Sequence, residues 1–343
     1  MVNDTVKNIG LIGLGYWGPN FVRAAFENEN INLAYCCDID KKSLAKIGRR
    51  YPSVKLITDY KEMLADTSID GVIIVTPPGT HHKIVKDCLL AGKDVLVEKP
   101  ITLKSSDAEE LVSIAKKEKR ILMVDHIFQF NQGIRKLKEI MQKKKLGKIF
   151  YLSASYTALG PVRPDVNSLW DLGPHFFYTI AYLLDSKPVW VKAIGESYLK
   201  KGSQDVAYIT LGFPKKVLAN IHVSWLFPHK VRNLVVVGNK KMAVFDDMVN
   251  DQKLKIYDRG AFYDKNNAEF PAMLKVTYRE GDLISPRIVA KEPLGEVLST
   301  FVDAIGTRSL VESHGEAGLQ VVKMLEAAQK SLQHKGKRII IPH

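Results

Sequence analysis

A short apolar run, Ile9 to Ile12, leads straight into Gly13-Leu14-Gly15-Tyr16-Trp17-Gly18. The run reads as a buried strand, and the G-x-G-x-x-G that ends it reads as a turn into a helix. Each glycine has its own task there. Gly13 makes the tight bend, Gly15 lets backbone approach a pyrophosphate, and Gly18 lets the helix pack close to the strand. Unpaired N–H groups and the positive dipole end of the helix then face the phosphates. Tyr16 and Trp17 lie within the turn and are counted with the cofactor contacts. Glycine triplets arise by chance, so the surroundings matter. A second strand, Ile31 to Cys37, ends in Asp38, twenty residues after Gly18. An acid at that place accepts hydrogen bonds from a ribose diol and repels a 2′-phosphate, which favours NAD over NADP. Asp40 and the basic pair Lys41-Lys42 blur that preference. The bland alternative is a βαβ unit with a glycine turn and no nucleotide.

The first 125 residues continue to alternate. Helices are expected from Lys42 to Tyr51, Tyr60 to Leu64, Thr80 to Ala91 and Ser106 to Glu118. Strands are expected at Lys55 to Thr58, Gly71 to Val75, Asp94 to Glu98 and Arg120 to Val124. Such alternation implies an N-terminal α/β domain, residues 1–125, with a doubly wound parallel sheet of the Rossmann type. The texture changes from residue 126. After a helix from Gln132 to Lys144, strands follow near Ile149 to Tyr156, Val189 to Tyr198, Val206 to Phe213, Val217 to Trp225, Val231 to Val237 and Met242 to Phe245. Strands joined by turns rather than helices read as a large open, mostly antiparallel sheet in a C-terminal α+β domain, residues 126–343. Asp264 to Glu292 has weak periodicity and reads as a loop. Helices return at Gly295 to Gly306 and Gly315 to Gln333.

A length of 343 residues suits two domains, and 46% hydrophobic with 25% charged residues is a soluble globular composition. No apolar leader and no membrane-length apolar run is visible, so a cytoplasmic location with no membrane partner is expected. Three cysteines make no disulfide framework and read as buried thiols. The net charge of +13 comes from scattered lysines and arginines with no recognition motif, so nucleic acid is not the expected partner. A basic surface that steers an anionic small substrate is the useful variant.

Three more segments carry chemistry. Thr76-Pro77-Pro78 closes the fourth strand, where ligands of open α/β sheets bind, and His81 follows as either a cofactor neighbour or a plain helix residue. Thr80 is placed to cap the next helix. Glu98-Lys99-Pro100 ends the fifth strand, and a cis Pro100 would aim Lys99 into the crevice. An ammonium near a sugar hydroxyl favours its alkoxide. In Trp170-Asp171-Leu172-Gly173-Pro174-His175, Pro174 suits a first helical turn, and Asp171 and His175 are four apart, so a helical segment places both on one face. A carboxylate holding an imidazole is the usual arrangement of a general base, although a satisfied structural histidine fits the spacing as well. No H-E-x-x-H or cysteine cluster completes a metal site, so no metal is expected.

Together these residues resemble the glucose–fructose oxidoreductase/inositol dehydrogenase (Gfo/Idh/MocA) family over nearly the whole chain. The resemblance implies a nicotinamide cofactor held between a Rossmann domain and a C-terminal domain whose open sheet commonly serves oligomerisation. It implies that Lys99 is the family's lysine and His175 its acid/base, with Asp171 as partner. A homodimer or homotetramer follows, with the open face near Trp225, Phe227 and Val235 as the surface covered. Gly15-Tyr16-Trp17-Gly18-Pro19-Asn20, Val162 to Asp171 and Ser224 to Arg232 are similar to a branch that oxidises nucleotide-linked N-acetylhexosamines or their uronates at C3. Gly173 and Phe176-Phe177 depart from that branch's usual pattern. The function so implied is NAD-dependent oxidation of C3 in a UDP-N-acetylglucosamine-type sugar, in surface-polysaccharide or amino-sugar biosynthesis. Arg163 and Asn167, on the loop before Asp171, would hold a carboxylate or phosphate of the substrate. The alternatives are a free-sugar or inositol dehydrogenase, a keto-sugar reductase, and an NAD-sensing binding protein.

Overall fold

The computed structural model describes residues 6–263 and 276–342. It opens with β1 (Lys7–Ile12), α1 (Gly18–Phe26), β2 (Ile31–Cys37), α2 (Lys41–Arg50), β3 (Lys55–Ile57) and α3 (Tyr60–Leu64). Then come β4 (Gly71–Ile74), α4 (Pro78–Leu90), β5 (Asp94–Glu98), α5 (Ser105–Lys117) and β6 (Leu122–Asp125). All six strands pair in parallel, in the order β3-β2-β1-β4-β5-β6. This is the expected doubly wound Rossmann sheet. Its order reverses between β1 and β4, which opens a crevice at the carboxyl ends of the strands. The central strands β4 and β5 are buried almost throughout. Only a sheet covered by helices on both faces accommodates strands like these.

The chain continues through α6 (Gln132–Gln142), β7 (Ile149–Leu159), α7 (Ser168–Leu184), β8 (Trp190–Glu196), β9 (Val206–Gly212), β10 (Leu218–Ser224), β11 (Leu226–Gly238) and β12 (Met242–Asp246). It ends with β13 (Leu254–Tyr263), β14 (Val276–Ile284), α8 (Pro293–Thr307), α9 (Gly315–Gln333) and β15 (Ile339–Ile340). Among the described residues the second sheet runs β14-β13-β12-β11-β7-β10-β9-β8-β15. Its neighbours are antiparallel except β7 and β10, which are parallel. Helix α7 packs over β7, β9 and β10 on one face, against Leu152, Ala154, Ile209 and Ile221.

Three details differ from the sequence reading. The 264–292 loop contains β14, and β13 precedes it; residues 264–275 of that loop lie outside the described residues. Residues 277–284 are exposed on both sides, so β14 carries no apolar alternation and is held by its ladder to β13. The sixth strand runs Leu122–Asp125 rather than from Arg120, which puts Asp125 at its carboxyl end. Finally, the compact units do not divide at residue 125. One comprises Met1–Phe130 with Lys291–Glu326, the other Asn131–Ala290 with Ala327–His343. The reason is the apolar face of α8. Val297, Leu298, Phe301, Val302 and Ile305 join Ile9, Leu11 and Phe21 in one core.

Phe301 is fully buried in that core. Phe301→Ala is expected to destabilise the first unit by about 3–5 kcal/mol in urea unfolding, the usual cost of emptying a buried aromatic site. A loss below about 1 kcal/mol would show that α8 is not part of this core.

Candidate active site

In the first unit the glycine turn takes the form the sequence suggested. Gly13 has φ +101°, and a Cβ there would meet the Val75 carbonyl oxygen at 2.6 Å. A Cβ on Gly18 would lie 2.2 Å from the Gly13 carbonyl oxygen. Gly15, by contrast, has nothing within 4 Å of a Cβ position, so backbone is open to a ligand there. Tyr16 and Trp17 are exposed beside it, and no side chain caps the N-terminus of α1. Asp38 takes the Leu14 N–H on Oδ2 at 2.5 Å and the Asp40 N–H on Oδ1 at 2.8 Å. Those bonds fix the carboxylate and leave lone pairs on both oxygens for a ribose diol. Asp40 is otherwise engaged: it is the N-cap of α2, accepting the Lys42 and Ser43 N–H groups at 3.0 and 3.2 Å.

Thr76 and Pro77 follow β4. Thr80 does not cap α4; its hydroxyl donates to the Pro77 carbonyl at 2.8 Å and lies 2.7 Å from Thr76 Oγ1, because the helix already starts at Pro78. His81 is wholly buried. Its Nε2 lies 2.8 Å from the Thr76 carbonyl and its Nδ1 lies 2.9 Å from the Pro100 carbonyl. The imidazole therefore lies between the loop after β4 and the loop after β5 and joins them. Thr76, Pro77 and Glu98 line that junction, where the Lys99–Pro100 peptide is cis and the Lys99 N–H donates to Glu98 Oε2 at 3.0 Å.

Two neighbours escaped the sequence reading. Asp125 stands opposite Glu98 in the β5–β6 ladder, and His126 follows it. Both are 2% exposed. Burial, then the Glu98 charge, holds the Asp125 carboxyl well above the usual carboxylate range, against the pull of Lys99. Burial and the Lys99 ammonium push His126 down to about 3, so it is neutral at working pH. The rule that ligands meet the carboxyl ends of parallel strands would have flagged both residues, had the strand been drawn to Asp125.

In the second unit, helix α7 begins at Ser168, six residues before Pro174, so Pro174 is interior. It has no N–H to give the Trp170 carbonyl. The start is set by Asn167, whose Oδ1 accepts the Trp170 N–H at 3.1 Å. Its two amide protons go to Gln204 Oε1 at 2.8 Å and Gln329 Oε1 at 2.9 Å. The expected substrate contact of Asn167 thus has no donor left, and its role is capping. Arg163 is also committed. Its Nε and Nη2 grip Asp165 at 3.0 and 2.6 Å, and its Nη1 reaches Asp171 Oδ1 at 3.5 Å. A substrate anion would have to compete with Asp165 for that fork.

Asp171 and His175 share one face of α7, one turn apart. Asp171 Oδ2 accepts the Trp225 indole N–H at 3.1 Å. Trp225 was expected near an open face, but it is 1% exposed and turned inward to this carboxylate. Phe227 and Val235 are half-buried. The His175 ring lies 5.0 Å from that of Tyr156, and the Arg232 guanidinium sits over the Tyr156 ring at 4.7 Å. Arg232 and Tyr156 are register partners across β11 and β7. Burial pushes the Tyr156 hydroxyl up to about 12, with Arg232 opposing. Spacing along the chain gives no sign of Tyr156, Trp225 or Arg232, because they meet α7 only through sheet pairing. Among the described residues no cluster of His, Cys, Asp and Glu is suited to a metal ion.

A model of an oxidoreductase family with an NAD-binding Rossmann fold matches residues 7–126, and a GFO/IDH/MocA C-terminal domain model matches residues 134–244. The chain belongs to the Gfo/Idh/MocA family. It is an NAD-binding oxidoreductase. The open backbone at Gly15, the uncapped start of α1 and the anchored Asp38 carboxylate fit NAD and would hold its pyrophosphate and ribose. The chain is 28% identical to a UDP-N-acetylglucosamine 3-dehydrogenase of Acidithiobacillus ferrooxidans, over 91% of this chain and 93% of that one. It is 25% identical to a myo-inositol 2-dehydrogenase of Thermotoga maritima, over 95% and 96% respectively. GenD2 of gentamicin A biosynthesis, solved in complex with NAD, shares the fold with a TM-score of 0.83 at 20% identity, over 99% of this chain and 97% of that one.

The His81 tie is open to direct test. His81→Leu keeps an apolar side chain of similar reach but removes the ring nitrogens from the Pro100 and Thr76 carbonyls, one of which a neutral imidazole serves as donor. It is expected to cost about 1–3 kcal/mol in urea unfolding, the scale of one buried acceptor left without its donor. Stability unchanged from the parent would show that the imidazole does not join the two loops.

Proposed function

We propose that the protein oxidises a secondary sugar hydroxyl with NAD, at C3 of a UDP-N-acetylglucosamine-type nucleotide sugar, in surface-polysaccharide or amino-sugar biosynthesis. The observation that carries this reading is the pair Asp171 and His175, one turn apart on α7, in a chain similar along nearly its whole length to a UDP-N-acetylglucosamine 3-dehydrogenase. His175 takes the proton of the reacting hydroxyl. Asp171, held by Trp225 and Arg163, favours the imidazolium that forms. The Lys99 ammonium stabilises the oxygen as negative charge develops on it. When bound, NAD would supply the acceptor for the hydride that leaves the same carbon; the alcohol would become a ketone, with the hydroxyl proton taken by His175. The similarity to an inositol dehydrogenase supports a second reading, oxidation of a free cyclic polyol. A requirement for the UDP group separates the two.

The reading extends to assembly. Tyr151, Tyr208 and Leu218 are exposed on the sheet face opposite α7, and a homodimer or homotetramer that covers them is the fitting state. No helix of the described residues is long and apolar enough to cross a membrane.

Protein with excess NAD should raise absorbance at the reduced-nicotinamide band when UDP-N-acetylglucosamine or its uronate is added. A response only to inositols or free sugars would replace the nucleotide-sugar reading. Lys99→Ala and His175→Ala should each still bind NAD and lose about 100-fold or more in kcat; near-parental turnover in either would remove its role. Trp225→Phe keeps the ring and deletes the donor to Asp171. We expect about a tenfold fall in kcat, roughly 1.4 kcal/mol of barrier, with KM little changed. A change in KM alone would place Trp225 in substrate binding.

A further inference from the structure

The carboxyl ends of β5 and β6 hold an arrangement that hydride transfer does not itself require. Glu98 and Asp125 are register partners on adjacent parallel strands, so their side chains leave the same face of the sheet side by side. Asp125 is 2% exposed and hydrogen-bonded to the Glu98 carboxyl. Its Oδ1 is buried with no hydrogen-bond partner. Glu98 also accepts the Lys99 backbone N–H at 3.0 Å. Two carboxylates in contact in a buried site do not both ionise, and one proton shared between them removes the repulsion.

From this geometry we infer that Asp125 is a positioning residue for Lys99: it carries a proton, donates it to Glu98, and so locks the segment that presents the Lys99 ammonium. The role in turnover rests on the sugar-oxidation reading; the shared proton does not. With Asp125 neutral, the half-buried Glu98 carboxylate faces the Lys99 ammonium without a second negative charge on Asp125 beside it. Lys99 is the cation that pulls on Asp125. His126, the residue after β6, is neutral. His81, from α4, is aimed at the Pro100 and Thr76 carbonyls. On the segment that pairs with β6, His314 is bonded to Glu316 and Glu312 accepts from Gln129. An ionised Asp125 would remove its own donor bond to Glu98 and repel that carboxylate, which loosens the segment that carries Lys99.

The sign of the pH dependence follows. Asp125 keeps its proton in the folded protein, whereas an unfolded aspartate loses it near pH 4, about its ordinary value. The folded state then binds more protons than the unfolded one above that pH, and stability falls as pH rises. Asp125→Asn retains a neutral donor to Glu98 and has nothing to ionise, so its stability should be flatter and higher at neutral and alkaline pH.

The test has one arm without sugar and one with it. In infrared difference spectra between the parent and Asp125→Asn at pH 8, the parent should show the C=O stretch of a protonated carboxylic acid that the variant lacks. Asp125→Ala should bind NAD and lose between about 10- and 100-fold in kcat, the scale of a misplaced reacting group. Asp125→Asn should recover most of that loss and lack the alkaline fall in kcat that the parent shows as Asp125 ionises. No protonated-acid band at pH 8 overturns the inference. So does an Asp125→Ala protein with parental kcat and pH profile, or an Asp125→Asn protein as impaired as Asp125→Ala. Should Asp125→Ala fail to fold, the infrared band and the Asp125→Asn pH profile decide the matter. Should the parent oxidise no sugar, the sugar reading fails, and the infrared band alone decides whether the proton is shared.

Discussion

In a parallel sheet every strand ends at the same edge, and the first unit depends on that constraint. Because β1 lies between β2 and β4, the glycine turn emerges beside both Asp38 and the Thr76-Pro77 loop. The turn needs Gly13 because its φ is positive and the Val75 carbonyl leaves no room for a Cβ. A single bond from Leu14 N–H to Asp38 then couples the turn to the end of β2. Farther along the same edge, β5 and β6 deliver Glu98, Lys99 and Asp125 in register. The apolar strands force the sheet to be buried, and the buried sheet leaves its polar residues only that edge.

The second unit solves a different problem, which is to hold one carboxylate and one imidazole at fixed orientation on a helix. Asn167 sets where α7 starts, with every amide proton committed. Arg163 and Trp225 approach Asp171 from the loop and from the end of β10, so its two oxygens have separate partners. His175 follows one turn on, with the Tyr156 ring against its own and Arg232 over the Tyr156 ring. These groups buttress one another through pairing of β7 with β11, a contact between residues 76 positions apart in the chain.

That difference in range explains what was legible in the sequence. The glycine turn, Asp38 and Lys99 sit at the ends of strands that apolar runs announce, so local pattern found them. Asp171 and His175 were found by their helical spacing. Arg163 and Asn167 were read as substrate contacts from their position on a loop, yet their side chains are taken up by Asp165, Asp171, Gln204 and Gln329, which no spacing reveals. Asp125 was missed because a strand boundary set at Val124 left it outside. Strand β14 was missed because an exposed strand held by one neighbour needs no apolar alternation. The return of α8 to the first core was missed because an amphipathic helix shows that it packs, not on what.

Transfer of deuterium from UDP-N-acetylglucosamine labelled at C3 tests the functional reading most directly. Incubated with the protein and NAD, the labelled sugar should give deuterated NADH by mass spectrometry, together with a ketone at C3. Unlabelled NADH would move the oxidation to another carbon. Reduction of NAD by inositols or free sugars but not by the nucleotide sugar would contradict the assignment of substrate.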